Sequence, residues 1–347
     1  MSNSKSEITF SDVLLRPQFS EILSRSDIDI TSDLGKLKLK LPVISSNMKH
    51  VTGVRMPVAM YENGGLGIQH RFKSVDESVV DYCESIRLIN MSGNPNYNKI
   101  VGVSVGVKPE EKERFEALYN AGARIICIDV AHGHHSLVRD MIYWIKEHYD
   151  PKELVLIAGN VATPEGAIAL SGWGADIIKV GIGPGAGCMT RRNTGVGVPQ
   201  FSALKDIRTI TQADDINLKI IADGGIKFIG DFSKALIYAD AVMVGHFVAG
   251  TSETPGKVYR DKDNQLYKIY GGSASGENKT SNGNKQQYVE GVMQTIPFKG
   301  HVKHILNEIK EGIQSAFSYS GALNIEEFKK RVSWRVISGG SQKESKL

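Results

Sequence analysis

Short apolar runs rich in β-branched residues alternate with helix-length amphipathic stretches, and the alternation recurs about eight times along the chain. The runs read as strands at Pro42–Asn47, Leu66–Gln69, Ile100–Val105, Arg124–Ala131, Val155–Val161, Asp176–Gly183, Lys219–Asp223 and Ala241–Gly245. Strands spaced by helices predict a parallel α/β architecture, and eight of them close as a (β/α)8 barrel of the TIM type. A chain of 347 residues is an ordinary size for one such domain, so residues 1–347 are expected to be a single catalytic barrel.

Chemistry in such barrels gathers where the strands end. Here the ends read Ser46-Asn47-Met48, Gln69-His70, Asp129-Val130-Ala131-His132-Gly133, Gly159-Asn160, Asp223-Gly224-Gly225 and Gly245-His246. Any one is an ordinary passage from strand to loop; together they outline one rim. The run Tyr270–Gln287 is Gly, Ser, Asn, Lys and Gln with almost no apolar residue. It reads either as a disordered surface loop or as a flap that ligand would order. Residues 336–347 are expected to be a disordered tail.

The formal charge of +4 is spread along the chain without a block of one sign. That argues against nucleic acid or an anionic membrane as partner and suits a small phosphorylated substrate. No window approaches the roughly 18 continuous apolar residues of a membrane span, and Met1–Glu7 has no apolar signal core. Three cysteines without paired spacing argue against a disulfide framework or a zinc site, so a reduced, cytoplasmic setting is expected.

One cysteine stands apart. Lys179-Val-Gly-Ile-Gly-Pro-Gly-Ala-Gly-Cys188-Met-Thr190-Arg191 places a thiol at the end of a glycine-rich turn after a strand. Gly181, Gly183, Gly185 and Gly187 permit positive φ and close backbone approach, which lets N–H and C=O groups face an ion. Thr190 is two residues on, near enough to be the thiol's polar neighbour. Cys83, in the helix-like Asp81–Glu84 run, and Cys127, inside Ile125–Ile128, read instead as small packing residues.

The cysteine segment and its continuation Asn193-Thr-Gly-Val-Gly-Val-Pro-Gln200 resemble the active-site loop of the IMP dehydrogenase / GMP reductase family. The resemblance runs from Thr9–Pro17 to Pro297–Gly300 and the helix beyond. It implies that the Cys188 thiolate adds to C2 of a purine nucleotide, with its pKa lowered by the glycine nest, a bound cation or Arg191. It also implies that backbone carbonyls of Gly181, Gly183 and Cys188 hold potassium. Met48, Gly224, Gly225, Gly245, His246, Tyr270, Gly271 and Ser273 match substrate positions, and Asp223 matches the carboxylate that holds the ribose hydroxyls. Asp129, Ala131, Asn160 and Arg71 match the cofactor side. The common dehydrogenase carries a CBS insertion where Lys73–Lys99 runs straight into the third strand, and this chain has none. The family also favours a flap at 270–290, and its members are commonly homotetramers.

Departures accompany the match: Lys49, Arg71, Ala186, His246 and Gly272 stand where the family usually has Asp, Lys, Ser, Gly or Ser, and Met. Between the two reactions of the family, the dehydrogenase activates water with an Arg-Tyr pair on its flap, and Tyr270–Glu290 contains no arginine. Thr190 and Glu290 match the pair that handles the proton of departing ammonia in the reductase. The resemblance therefore implies reductive deamination of GMP to IMP with NADPH. A dehydrogenase without the CBS modules using NAD, or a nucleotide-binding barrel with lapsed catalysis, are the alternatives.

Overall fold

All eight apolar runs become strands: β1 Val43–Ser45, β2 Leu66–Gln69, β3 Val101–Val105, β4 Ile125–Asp129, β5 Val155–Val161, β6 Ile177–Val180, β7 Lys219–Asp223 and β8 Ala241–Val244. The computed structural model describes residues 6–91, 100–271 and 293–344. The strands pair in parallel, each with its neighbour in sequence, and β8 returns to β1 to close the barrel. Between them run the helices α1 Arg55–Glu62, α2 Val75–Met91, α3 Glu110–Asn120, α4 Ser136–His148, α5 Pro164–Trp173, α6 Gln200–Ala213 and α7 Gly230–Leu236, and α8 Val302–Ser320 follows β8 after a long excursion.

Local chemistry sets several of these boundaries. The Thr163 hydroxyl accepts from the Gly166 N–H at the start of α5, with Pro164 in the first turn, and Gly174 ends the helix at φ 115°. Strand β6 stops at Val180, short of the expected Gly183, because Gly181 (φ 152°) and Gly183 (φ 86°) turn the chain out of the sheet.

Alternate strand residues serve two cores. Ile44, Leu66, Ile68, Ile125, Cys127, Ile157, Ile177, Ile221 and Met243 fill the barrel, while Ile126, Ile128, Leu156, Ile178, Ile220 and Val242 pack outward under the helices. Cys127 is a packing residue as expected, and burial pushes its thiol up to about 12. Cys83 is not: it lies on the solvent face of α2.

Two features outside the barrel bear on the expectations above. Strands Leu266–Gly271 and Met293–Pro297 pair antiparallel, with Gly271 opposite Met293, and beyond Tyr270 and Gly271 the expected flap at 270–290 lies outside the described residues. Gly272, Ser273 and Glu290 lie outside the described residues. The other feature corrects the expected disordered tail as far as Glu344, residues 345–347 lying outside the described residues. Ser333–Val336 is a strand paired with Val13–Arg16, and Gly339–Glu344 is a short helix. The Gln342 side chain and the Ile337 N–H both donate to Asp12, each at 2.9 Å, which ties the tail to the N-terminal segment.

Candidate active site

Two glycines of the cysteine loop could not be replaced without moving something. At Gly181 a Cβ would overlap the carbonyl oxygen of Asp223, and at Gly183 it would come within 2.5 Å of Cγ of Arg191. Within the turn the Cys188 N–H donates to the Gly185 carbonyl at 3.0 Å, and the Cys188 side chain faces solvent. Its Sγ lies 3.2 Å from Oγ1 of Thr190, the first residue of a short helix, Thr190–Thr194, that Gly195 ends at φ 74°. Arg191 runs beneath the loop and donates to the carbonyls of Ile182 and Val198. Burial lowers its pKa from the usual value, and the neighbouring Cys188 acts in the opposite direction.

Below the loop lies an ionic cluster, a buried lysine between two partly buried carboxylates. Lys179, in β6, donates from Nζ to Oδ1 of Asp129 at 2.7 Å and to Oδ2 of Asp223 at 3.0 Å. Burial opposes the lysine's charge, yet the two carboxylates hold its pKa above the ordinary range. Burial likewise pushes the Asp129 carboxyl up, but Lys179 and then Arg71 keep it below its usual value. Asn160 donates from Nδ2 to the Gly181 carbonyl at 2.7 Å and to Oδ2 of Asp223 at 2.9 Å. Gln200 clasps the same strand ends, donating to the carbonyls of Val180 at 2.7 Å and Asp223 at 3.3 Å.

The rest of the rim closes around this cluster. Gly224 (φ 89°) and Gly225 (φ 86°) form the turn after Asp223 and pack against Pro184 of the cysteine loop. Tyr270 is buried, with its hydroxyl 3.9 Å from Sδ of Met48 and its ring edge-on to His246 at 5.4 Å. Burial raises the Tyr270 hydroxyl's pKa, and the nearby charges of Asp223 and Cys188 add to it. A Cβ at Gly245 would stand 2.9 Å from Sδ of Met48, so the backbone of the β8 turn borders the same floor. Burial, then the Lys299 charge, lowers the His246 pKa; the Lys299 ammonium donates to the carbonyls of His246 at 3.1 Å and Phe247 at 3.0 Å.

The structure thus brings together Cys188, Thr190, Asp223, Gly224, Gly225, Gly245, His246, Met48, Tyr270, Asp129 and Asn160. Gly271 adjoins this floor beside His50 and Met293. Ala131 lies exposed in the loop after β4. Arg71 turns toward the end of β3, 3.5 Å from Oε1 of Glu111 and against Gly106, and reaches the cluster through its charge on Asp129. The sequence reading assigned no role to Lys179 and Gln200, which position the site, and named Arg191 only as a charge near the thiol. A lone lysine within the apolar Ile177-Ile178-Lys179-Val180 strand was the available signal for the first. Among the described residues no group of three or more His, Cys, Asp or Glu side chains could hold a metal ion, and the Gly181 carbonyl already accepts from Asn160.

Residues 7–347 match the family model for the IMP dehydrogenase / GMP reductase domain, and the chain belongs to that family. It is 38% identical over 335 residues to a GMP reductase from Leptothrix cholodnii, covering 95% of this chain and 96% of that one. It is 35% identical over 395 residues to an inosine-5'-monophosphate dehydrogenase from Borreliella burgdorferi, covering 98% and 96%. Among solved structures it superposes with a TM-score of 0.88 and 29% identity on a cysteine-to-alanine variant of GMP reductase from Trypanosoma brucei in complex with guanosine 5'-monophosphate, covering 99% of this chain and 98% of that chain.

Proposed function

We propose that this protein is a GMP reductase, converting GMP to IMP and ammonia with a nicotinamide cofactor, NADPH, as reductant. The observation that carries the reading is the Cys188–Thr190 pair, thiol and hydroxyl 3.2 Å apart on a glycine-built loop beside the Asp223 turn. The lack of any arginine from Tyr270 to Glu290 favours the reductase over the dehydrogenase branch, to which the Borreliella relative belongs.

The Cys188 thiolate attacks C2 of the purine and forms a carbon–sulfur bond. Thr190, beside the sulfur, relays a proton with Glu290 to the 2-amino group, which leaves as ammonia and gives a covalent thioimidate. The nicotinamide, when bound, supplies hydride to C2. The carbon–sulfur bond then breaks, IMP departs, and Cys188 is again a thiolate. Asp223 accepts hydrogen bonds from the ribose hydroxyls, and the glycine turns at Gly224, Gly225 and Gly245, with His246, Tyr270, Gly271 and Ser273, enclose the phosphate and base. Met48 borders the base. Asp129, Ala131, Asn160 and Arg71 form the cofactor side.

The backbone carbonyls of Gly181, Gly183 and Cys188 would hold a potassium ion, although the Gly181 carbonyl already accepts from Asn160. The ion would fix the turn that carries the thiol. A reducing compartment, the cytoplasm, suits the need for Cys188 as a free thiol, and a homotetramer is what the family resemblance implies.

The test is product analysis by chromatography in potassium buffer. GMP with NADPH should give IMP and one equivalent of ammonia. XMP from IMP with NAD, and no ammonia from GMP, would replace this reading with the dehydrogenase.

A further inference from the structure

We propose that Lys179 is the positioning residue that couples the nucleotide side of the site to the nicotinamide side, by sharing one ammonium group between Asp223 and Asp129. This rests on the functional reading above, which gives Asp223 to the ribose and Asp129 to the cofactor.

Lys179 is 2% exposed, and its ammonium sits between carboxylates from strands on either side, 2.7 Å from Asp129 and 3.0 Å from Asp223. Those carboxylates end β4 and β7, elements with no pairing between them, so the lysine from β6 is the link. Two acid groups at one end of a barrel repel one another strongly in a low-dielectric interior unless a cation lies between them. Removing one partner of such a group leaves an uncompensated buried charge. The bonds from Lys179 and Asn160 to Asp223 both fall on Oδ2, so neither occupies Oδ1. On Asp129, Lys179 takes Oδ1. Each carboxylate is therefore held by the same ammonium through one oxygen, and the Asn47 side chain is a further polar neighbour that favours the charged form of Asp129.

The consequence is a coupling between ligands. A nucleotide that fixes Asp223 through its ribose also fixes Lys179, and with it the orientation of Asp129. The cofactor then meets a carboxylate already ordered, and binds more tightly than it does to the empty site. Asn160, itself on the cofactor side, reaches Asp223 and the Gly181 carbonyl but makes no bond to Asp129, so the orientation of Asp129 passes through Lys179.

The test measures the affinity for NADPH by its fluorescence, without nucleotide and with saturating IMP, a pair between which no reaction runs. The intact protein should bind NADPH at least about fivefold more tightly with IMP present, the lower end of ordinary coupling. Lys179→Met should reduce that factor to near one, and Lys179→Arg, which can still bridge two carboxylates, should keep most of it. Asp129→Asn should also reduce the factor, and it decides the matter if Lys179→Met does not fold. A wild-type coupling factor retained in Lys179→Met, or in Asp129→Asn where the methionine variant is lost, would overturn the proposal, as would a factor near one in the intact protein. Failure of the intact protein to bind IMP or NADPH at all would instead overturn the functional reading.

Discussion

Replacing Gly181 by alanine should damage this protein far more than the same change four residues on. The φ of Gly181 is 152°, a region that L residues rarely adopt, which costs about 1–3 kcal/mol. The added methyl would also overlap the carbonyl oxygen of Asp223, a backbone atom that cannot rotate away, and such overpacking costs a further ~1–3 kcal/mol. The combined loss is roughly 2–6 kcal/mol. Gly185 has no positive φ, and a Cβ there would meet only Cβ of Cys188 at an ordinary 3.6 Å. Its replacement should change stability by less than about 0.5 kcal/mol. For a chain of 347 residues, the usual unfolding entropy per residue converts 1 kcal/mol to roughly 1.4 °C in melting temperature. Gly181→Ala should therefore melt about 3–8 °C below the wild type, and Gly185→Ala within about 1 °C of it, in parallel thermal scans. Equal melting temperatures for the two variants would refute the claim that the β6 end passes so close to the β7 end that only glycine fits.

Further outcomes follow from the same geometry. Cys188→Ser should still bind GMP in calorimetry, yet turn over at least ~10³-fold more slowly, because a serine hydroxyl is a far weaker nucleophile at neutral pH; comparable turnover would exclude a covalent sulfur step. Glu290→Gln should slow ammonia release about 10²-fold while the affinity for GMP stays within a few-fold, as expected for loss of one general acid–base group; an unchanged rate would remove Glu290 from the mechanism. Burial, with Lys73, Lys49, His50 and Arg114 adding to it, lowers the His70 pKa from 6.5 to about 3, so the folded protein keeps this ring neutral. Between those values the unfolded chain binds a proton that the folded chain refuses, and stability falls as pH drops, by up to ~1.4 kcal/mol per pH unit. His70→Gln should flatten the stability profile by that slope in urea titrations between pH 6 and 4; identical profiles would contradict it.

Much of the barrel was written in the alternation of apolar runs, because a strand covered on both faces needs an unbroken apolar segment, and the turns that end each one need Gly, Asn or Asp. The runs at Leu66–Gln69, Val155–Val161 and Lys219–Asp223 were bounded to the residue. Overruns came where a strand's composition continues into a turn: Gly181 and Gly183 extend the apolar pattern of β6 but bend its backbone. The tail was misread because Gly339–Glu344 has a polar composition, and what orders it is distant in sequence, the Asp12 carboxylate and carbonyl. Cys188 and Thr190 were legible because they share a local segment. Lys179 was not, since its meaning depends on Asp129 and Asp223, which only barrel closure brings to it.

The most direct test is mass spectrometry of the denatured protein, quenched within the first turnovers with GMP and NADPH and digested to the peptide that contains Cys188. That peptide should carry the nucleotide less its 2-amino group, in an amount that falls when NADPH is in excess and vanishes in Cys188→Ser. A peptide that remains unmodified while IMP and ammonia accumulate would contradict the covalent mechanism.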